Sequence, residues 1–178
     1  MTVQIRDMTI EDCDAVASLR VRGWQYAYAG LMPQSYLDAM DAAEMAVKVR
    51  GWLSAAGPSR VTHLVAERAG DVVGWACLGP CRDEGTTSQQ GEIYALYAHP
   101  EVVSTGVGRA LMAELTTRAH DQGLHELLLW VVEGNDRARR FYARAGFEPD
   151  GLEEPFEMAG IQVPELRYRR ALRAIPDS

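Results

Sequence analysis

The stretch from Gly91 to Gly146 constrains the fold of this chain more than any other. An apolar strand is predicted over 92–98, followed by a loop of small residues from Ser104 to Gly108. A helix opens from that loop, because apolar residues recur at every fourth position: Val107, Leu111, Leu115 and Ala119. A second apolar strand follows over 127–132. A strand, a helix and a strand in this order predict two parallel strands joined by a helical crossover.

The loop before the helix is typical of an anion site, since unpaired N–H groups and the helix dipole attract phosphate there. A nucleoside-triphosphate loop would need Gly-Lys-Ser/Thr, and Gly108-Arg109-Ala110 does not match it. A dinucleotide fingerprint would need a third glycine where Leu111 stands. A plain tight turn, which uses glycine only for backbone freedom, stays open on the loop alone.

Composition indicates one globular domain over 1–178. The chain is 47% hydrophobic and 24% charged, with a net charge of −7, and that charge argues against a nucleic-acid partner.

No apolar run has the length of a membrane span and the N-terminus lacks a signal-peptide core, so we expect a cytoplasmic protein that does not contact membranes. Three cysteines fit reduced thiols, and no ligand pattern predicts a metal.

The remaining elements complete a mixed α/β sheet. We expect a first strand over 3–6, a helical block that ends at Gly57-Pro58, and a hairpin of strands over 61–67 and 72–78. The polar run from Arg82 to Gln90 is predicted to be a loop without functional meaning. A final antiparallel pair is expected, and its ranges are 147–151 and 165–172. The acidic segment from Glu148 to Glu157 is interpreted as the loop between them. It could attract cationic amines, although a solvated acidic loop is the favoured interpretation.

Several motifs occur in a fixed order and together resemble the GCN5-related N-acetyltransferase (GNAT) superfamily. They are His99-Pro100-Glu101, Gly106-Val107-Gly108-Arg109-Ala110-Leu111-Met112, Asn135, and Phe141-Tyr142-Ala143-Arg144-Ala145-Gly146-Phe147. Other stretches are similar to one common bacterial branch: 24–33, 72–75 and 166–170. The resemblance covers essentially the whole chain. It implies a mostly antiparallel sheet in which parallel strands four and five splay apart to admit the pantetheine arm of acetyl-CoA.

The resemblance also implies which residues hold acetyl-CoA as co-substrate. The family loop Gln/Arg-x-x-Gly-x-Gly/Ala maps onto Val103, Ser104, Thr105, Gly106, Val107 and Gly108, and Val103 departs from it. The grip on the pyrophosphate comes mainly from main-chain N–H groups, so the departure affects one contact. The other implied cofactor-binding residues are Leu96, Tyr97, Ala98, Arg109, Asn135, Ala138, Arg139 and Tyr142. From chemistry alone, Asn135 is equally well explained as a helix N-cap.

Acyl transfer to an amine needs a base, stabilisation of the carbonyl oxygen and an acid for the departing thiolate. Tyr142 matches the position of the family's general acid, and an aromatic core residue is the alternative. Glu92 matches a position where many members carry a carboxylate that acts as base directly or through water; a solvated residue beside a strand is the alternative. Glu133 is a weaker candidate for the base. Where peptide-alanine-type members carry a glutamate, this chain has Trp130.

The predicted function is therefore transfer of the acetyl group from acetyl-CoA to a primary amine, by direct attack in a ternary complex. The acceptor, a small molecule or a peptide, is not identified by the sequence. An alternative is a non-catalytic acyl-CoA sensor or interaction module of the same fold. A nucleotide-binding α/β domain is a second alternative. Dimers are common among similar proteins, so a homodimer stays open.

Overall fold

The computed structural model describes residues 2–55, 61–158 and 160–172. The predicted break at Gly57-Pro58 lies outside these ranges. The strands are β1 (Gln4–Asp7), β2 (Thr62–Arg68), β3 (Asp71–Pro80), β4 (Gln90–Ala98), β5 (Glu126–Val132), β6 (Glu148–Met158) and β7 (Ile161–Ala171). The helices are α1 (Cys13–Ala27), α2 (Gln34–Asp38), α3 (Ala42–Ala55), α4 (Val107–Asp121) and α5 (Asp136–Arg144).

The seven strands form one mixed sheet in the order β1-β2-β3-β4-β5-β7-β6. All neighbours are antiparallel except β4 and β5. These two pair only at Gln90↔Glu126, Gly91↔Leu127 and Glu92↔Leu128. Beyond Glu92 they separate, while β5 stays paired with β7 as far as Val132↔Glu165. The α/β class and the splayed parallel pair, both expected from the sequence, are confirmed.

Helices cover both faces of the sheet because side chains alternate along each strand. Leu64, Ala76 and Leu78 pack with the apolar stripe of α4, which includes Leu111 and Leu115. The intervening residues, among them Val65, Trp75 and Cys77, pack on the other face against Cys13, Val16 and Ala17 of α1. The crossover helix and the N-terminal helices therefore lie on opposite sides of the sheet.

The start of the helical block follows the capping chemistry of the sequence. The Thr9 N–H donates to the Asp12 carboxylate at 2.8 Å, at the 3-10 turn Ile10–Asp12 that runs into α1. Asp41 caps α3 by accepting the Glu44 N–H at 2.8 Å. None of the helices within the described ranges combines the length and the apolar composition that a membrane crossing requires.

The C-terminal hairpin differs from the expectation. The segment from Glu148 to Glu157, predicted as a loop, belongs to the eleven-residue strand β6, and β7 is equally long. Among the described residues, β6 is an edge strand whose one neighbour is β7. An edge tolerates charge and proline because one side of its ladder needs no partner, which accommodates Pro149 and Pro155. The register shifts between Pro149 and Glu153, and Gly151 there has a φ of 89°.

Candidate active site

A cleft of about 1990 Å³ opens where β4 and β5 part. Its walls come from α1, the parted strands, the first turns of α4 and α5, and the hairpin of β6 and β7. It reaches from the loop before α4, on one face of the sheet, to the space beneath α1 on the other. A long substrate can therefore pass between the strands and meet a second substrate on the far face.

The loop before α4 has the geometry of an anion site. Gly106 caps the helix with a φ of 97°, a left-handed conformation that favours glycine. The Ala110 N–H bonds to the Gly106 carbonyl at 3.0 Å. Within the described ranges, the N–H groups of Val107, Gly108 and Arg109 have no backbone acceptor, as expected for the first turn of a helix. These three donors and the helix dipole favour a bound phosphate.

Most of the predicted site residues line this cleft: Glu92, Leu96, Tyr97, Ala98, Val103, Ser104, Gly106, Gly108, Arg109, Asn135, Ala138 and Tyr142.

Three side chains point elsewhere. Val107 is buried in the core under α4. The Thr105 hydroxyl accepts from Arg68 at 3.0 Å. Arg139 donates to the Tyr168 hydroxyl at 3.2 Å and to the Glu133 carbonyl at 3.1 Å. A role for Thr105 or Val107 at the cleft would therefore rest on the main chain.

Asn135 is the N-cap of α5, since its Oδ1 accepts the Ala138 N–H at 3.1 Å. The next residue, Asp136, forms an ion pair with Arg139 at 3.6 Å instead of capping the helix. The Asn135 side chain lines the cleft as well. The capping bond uses the oxygen of the amide and leaves its NH₂ group available to a ligand.

Three tyrosines from different elements meet at the gap between the strands: Tyr28 after α1, Tyr97 on β4 and Tyr142 on α5. Burial raises the pKa of Tyr142, and the neighbouring Tyr97 adds to the rise. Burial also raises the pKa of Tyr28, with smaller contributions from Tyr97, Tyr142 and Glu165. Both hydroxyls therefore hold their protons at neutral pH and can donate them.

Glu92 is one of the few buried charged residues, with 1% of its surface exposed. Both of its carboxylate oxygens accept from the Arg82 side chain, and one also accepts the Arg82 backbone N–H at 3.0 Å. Arg82 is the first residue of the segment 82–90, for which the sequence predicts a loop without functional meaning, and its side chain neutralises the buried carboxylate of Glu92. Glu92 is thus oriented and charge-balanced.

The sequence and the fold were compared with known proteins. A family model described as the acetyltransferase (GNAT) family matches residues 23–147. The chain belongs to the GNAT family. The uncharacterized N-acetyltransferase YuaI of Bacillus subtilis (strain 168) is 29% identical over 165 residues, which cover 92% of this chain and 90% of YuaI. Membership identifies the protein as an acetyl-CoA-dependent N-acetyltransferase.

Solved structures share the fold. The PaiA N-acetyltransferase of Thermoplasma acidophilum, in complex with coenzyme A, has a TM-score of 0.73 at 19% identity, over 96% of this chain and 99% of that one. The structure of yncA from Salmonella typhimurium, with its cofactor acetyl-CoA, has a TM-score of 0.72 at 22% identity, over 100% of this chain and 99% of that one. This GNAT protein therefore has the architecture in which both of those structures hold a coenzyme.

Sequence analysis missed a second carboxylate in this GNAT cleft. Glu165 of β7 lies beside Val132, the last residue of β5, on the open part of the split. Burial raises the pKa of Glu165 to about 7, the Arg82 charge lowers it, and the Glu92 charge raises it. No local pattern could have identified Glu165, because these neighbours come from distant parts of the chain.

Arg137 and Arg140 were also missed, although both line the cleft at the first turns of α5. Arg137 donates to the Ser104 hydroxyl at 3.1 Å and to the Tyr26 hydroxyl at 2.7 Å. It therefore connects α5 to the anion loop and to α1. The sequence does show three arginines among residues 137–140, but the family resemblance implied a cofactor contact only for Arg139.

Cys81, Asp83 and Glu92 place one ligand atom each within 4.8 Å of one another. Both carboxylates already have cationic partners, since Glu92 pairs with Arg82, and Asp83 pairs with Arg167 at 2.9 Å. Arginine at both carboxylates explains the cluster, so we assign no metal to it.

Proposed function

We propose that the protein acetylates a primary amine by direct attack of that amine on acetyl-CoA in a ternary complex. The observation that carries this proposal is the separation of β4 and β5 beyond Glu92, with the anion loop on one face and Tyr142 at the gap. One substrate can enter from each face and both reach the gap, so no covalent enzyme intermediate is required.

The cofactor would lie along the predicted residues. The free N–H groups of Val107, Gly108 and Arg109 would bind the pyrophosphate, and the cationic Arg137 contacts the same loop at Ser104. The main chain of Leu96, Tyr97 and Ala98 would pair with the pantetheine arm, because this part of β4 has no partner in β5. The Asn135 amide and Ala138 lie along the same path.

Tyr142 would act as the general acid. When the amine attacks the thioester carbon, the C–S bond breaks and the thiolate needs a proton. The hydroxyl of Tyr142 holds one at neutral pH, since burial raises its pKa. Burial in the same site would also raise the pKa of the thiol that forms, which offsets part of the rise at Tyr142.

We assign the general base to Glu165 in preference to Glu92 and Glu133. Glu92 has both oxygens engaged by Arg82, and Glu133 is exposed and does not line the cleft. A carboxyl group with a pKa of about 7 accepts a proton efficiently near neutral pH. It suits an acceptor such as an α-amine, whose deprotonation at neutral pH costs about 1 kcal/mol against about 5 kcal/mol for a lysine amine.

The test is the rate of CoA thiol release with a panel of primary amines, for the wild type and for Tyr142→Phe. We expect the variant to lose about 10²-fold in kcat with the best acceptor. Tyr36→Phe is the matched control, because Tyr36 packs in the neighbouring aromatic cluster and does not line the cleft. Unchanged turnover in Tyr142→Phe would remove Tyr142 from the mechanism, and no amine-dependent thiol release would favour a non-catalytic CoA-binding module.

A further inference from the structure

Arg20 of α1 lies in the cleft on the face opposite α4, enclosed by aromatic rings. Its guanidinium carbon is 5.0 Å from the ring centroid of Trp52, 5.4 Å from that of Trp24, 5.8 Å from that of Trp75 and 6.0 Å from that of Tyr97. Four rings around one cation fix its position and stabilise its charge. The ring faces offer no lone pair to the N–H groups at the edge of the guanidinium plane.

Arg20 has no hydrogen bond and no ion pair to any part of the chain that the structure describes, and its Nε is buried. Arg82, which also lines the cleft, is in contrast paired with Glu92. A buried donor without an acceptor is costly, and a charged one more so. An arginine that is surrounded by aromatic rings, partly desolvated and unpaired among the described residues is suited to an anionic ligand.

The position of Arg20 separates it from the expected phosphate site. Phosphate would bind at the N-terminus of α4, whereas Arg20 lies above Trp75 on the other face of the sheet. Across the cleft, the β6–β7 hairpin contributes Glu154, Glu157 and Glu165. The acceptor half of the cleft thus has a cationic side at α1, an anionic side at the hairpin, and the rings of Trp24 and Phe156 between.

We propose that Arg20 binds a carboxylate of the acceptor, so that the acceptor is an amine that also carries a carboxylate and has an apolar body. The amine of such a zwitterion would face Glu165 and the gap, and its apolar part would contact the Trp24 and Phe156 rings. This inference rests on the proposed function for the amine half. The carboxylate half can be tested without turnover.

The direct test uses tryptophan fluorescence, because three of the four tryptophans lie within 6 Å of the Arg20 guanidinium. The protein with bound CoA is titrated with phenylacetate and with the neutral phenylacetamide. We expect a saturable change of fluorescence with phenylacetate, and a dissociation constant for the amide that is higher by about tenfold or more. Arg20→Met should abolish that preference, while Arg22→Met, an exposed α1 residue whose partner is His99, should retain it. CoA binding by both variants verifies that they are folded.

Equal responses to the acid and the amide, or an unchanged preference in Arg20→Met, would overturn the proposal. A second measurement compares thiol release with phenylalanine and with phenethylamine. The wild type should favour the amino acid about tenfold or more in kcat/KM, and Arg20→Met should lose this preference. Absence of thiol release with every amine would count against the proposed function instead, and the fluorescence result would still decide the role of Arg20.

Discussion

Glu92 and Glu165 are two carboxylates in the same cleft whose surroundings prepare them for different tasks. Glu92 is enclosed by the Arg82 side chain and backbone N–H, which keep its charge balanced. Glu165 has no ion pair to any described residue, and burial raises its pKa to about 7. The charged groups near it are Arg82 from the loop, Glu92 from β4 and Glu154 opposite it on β6, and the Tyr28 hydroxyl also lies nearby. The proposed choice of Glu165 as base therefore rests on its surroundings and not on its residue type.

The pH dependence of activity follows from that difference. Below a pH of about 7 Glu165 is protonated and cannot accept a proton, so kcat should rise with pH through about 7. Glu165→Gln should lose the rise of kcat through pH 7 and about 10²-fold in kcat. Glu154→Gln, which changes an exposed neighbour, should keep that rise. A limb near 7 that persists in Glu165→Gln would assign the base to another group.

Ionisation of Glu165 should affect stability in the opposite direction: kcat rises with pH, whereas the contribution of Glu165 to the free energy of unfolding falls. A carboxyl whose pKa rises from 4.5 to about 7 on folding binds its proton more tightly in the folded state. Its contribution to the free energy of unfolding is fully present below about pH 4.5 and is lost as the pH rises through about 7. Glu165→Gln should therefore gain stability relative to the wild type across that interval, which urea unfolding at several pH values measures.

At the scale of elements, two glycines lie at opposite ends of helix α4, and substitution of each tests the loop before the helix. Gly106 and Gly123 both have a left-handed backbone, with φ values of 97° and 72°. Alanine at either position should cost about 1–2 kcal/mol in the free energy of unfolding. Only Gly106→Ala places a methyl group beside the free N–H groups, so only it should weaken CoA binding, by about tenfold. Calorimetric titration of both variants with CoA measures this, and equal affinities would remove the loop from the phosphate site.

The crossover unit was predictable because its signals are local. A short window of sequence is enough to see each of them: apolar residues at every fourth position of α4, glycine at 106 and 108, and two apolar strands. The strand β6 was not predictable in the same way. Pro149, Gly151, Pro155 and the acidic residues are typical of a loop, and only the position of β6 at the sheet edge makes them compatible with a strand. The candidate site residues fall into the same two groups. The anion loop and Tyr142 could be predicted from sequence motifs, whereas the proposed roles of Glu165 and Arg20 depend on neighbours that only the tertiary structure brings together.

At the scale of the whole molecule, binding of CoA and catalysis should be separable. CoA at a hundredfold excess over Kd should stabilise the protein by about 2.7 kcal/mol. The wild type and Tyr142→Phe should show similar increases in melting temperature, because phenylalanine keeps the ring that lines the cleft and removes only the hydroxyl assigned to proton transfer. A nucleoside triphosphate or a dinucleotide should give a much smaller shift. A larger shift with either nucleotide than with CoA would favour a nucleotide-binding α/β domain.

The short pairing between β4 and β5 creates a strand edge in the interior of the protein. Beyond Glu92, the peptide groups on that side of β4 face no strand among the described residues, and such groups require hydrogen-bond partners. An extended chain that carries amides can supply them, as a peptide does when it joins an exposed sheet. The acetyl donor would then serve as a temporary eighth strand, and the sheet would be continuous only while the reactant is in place.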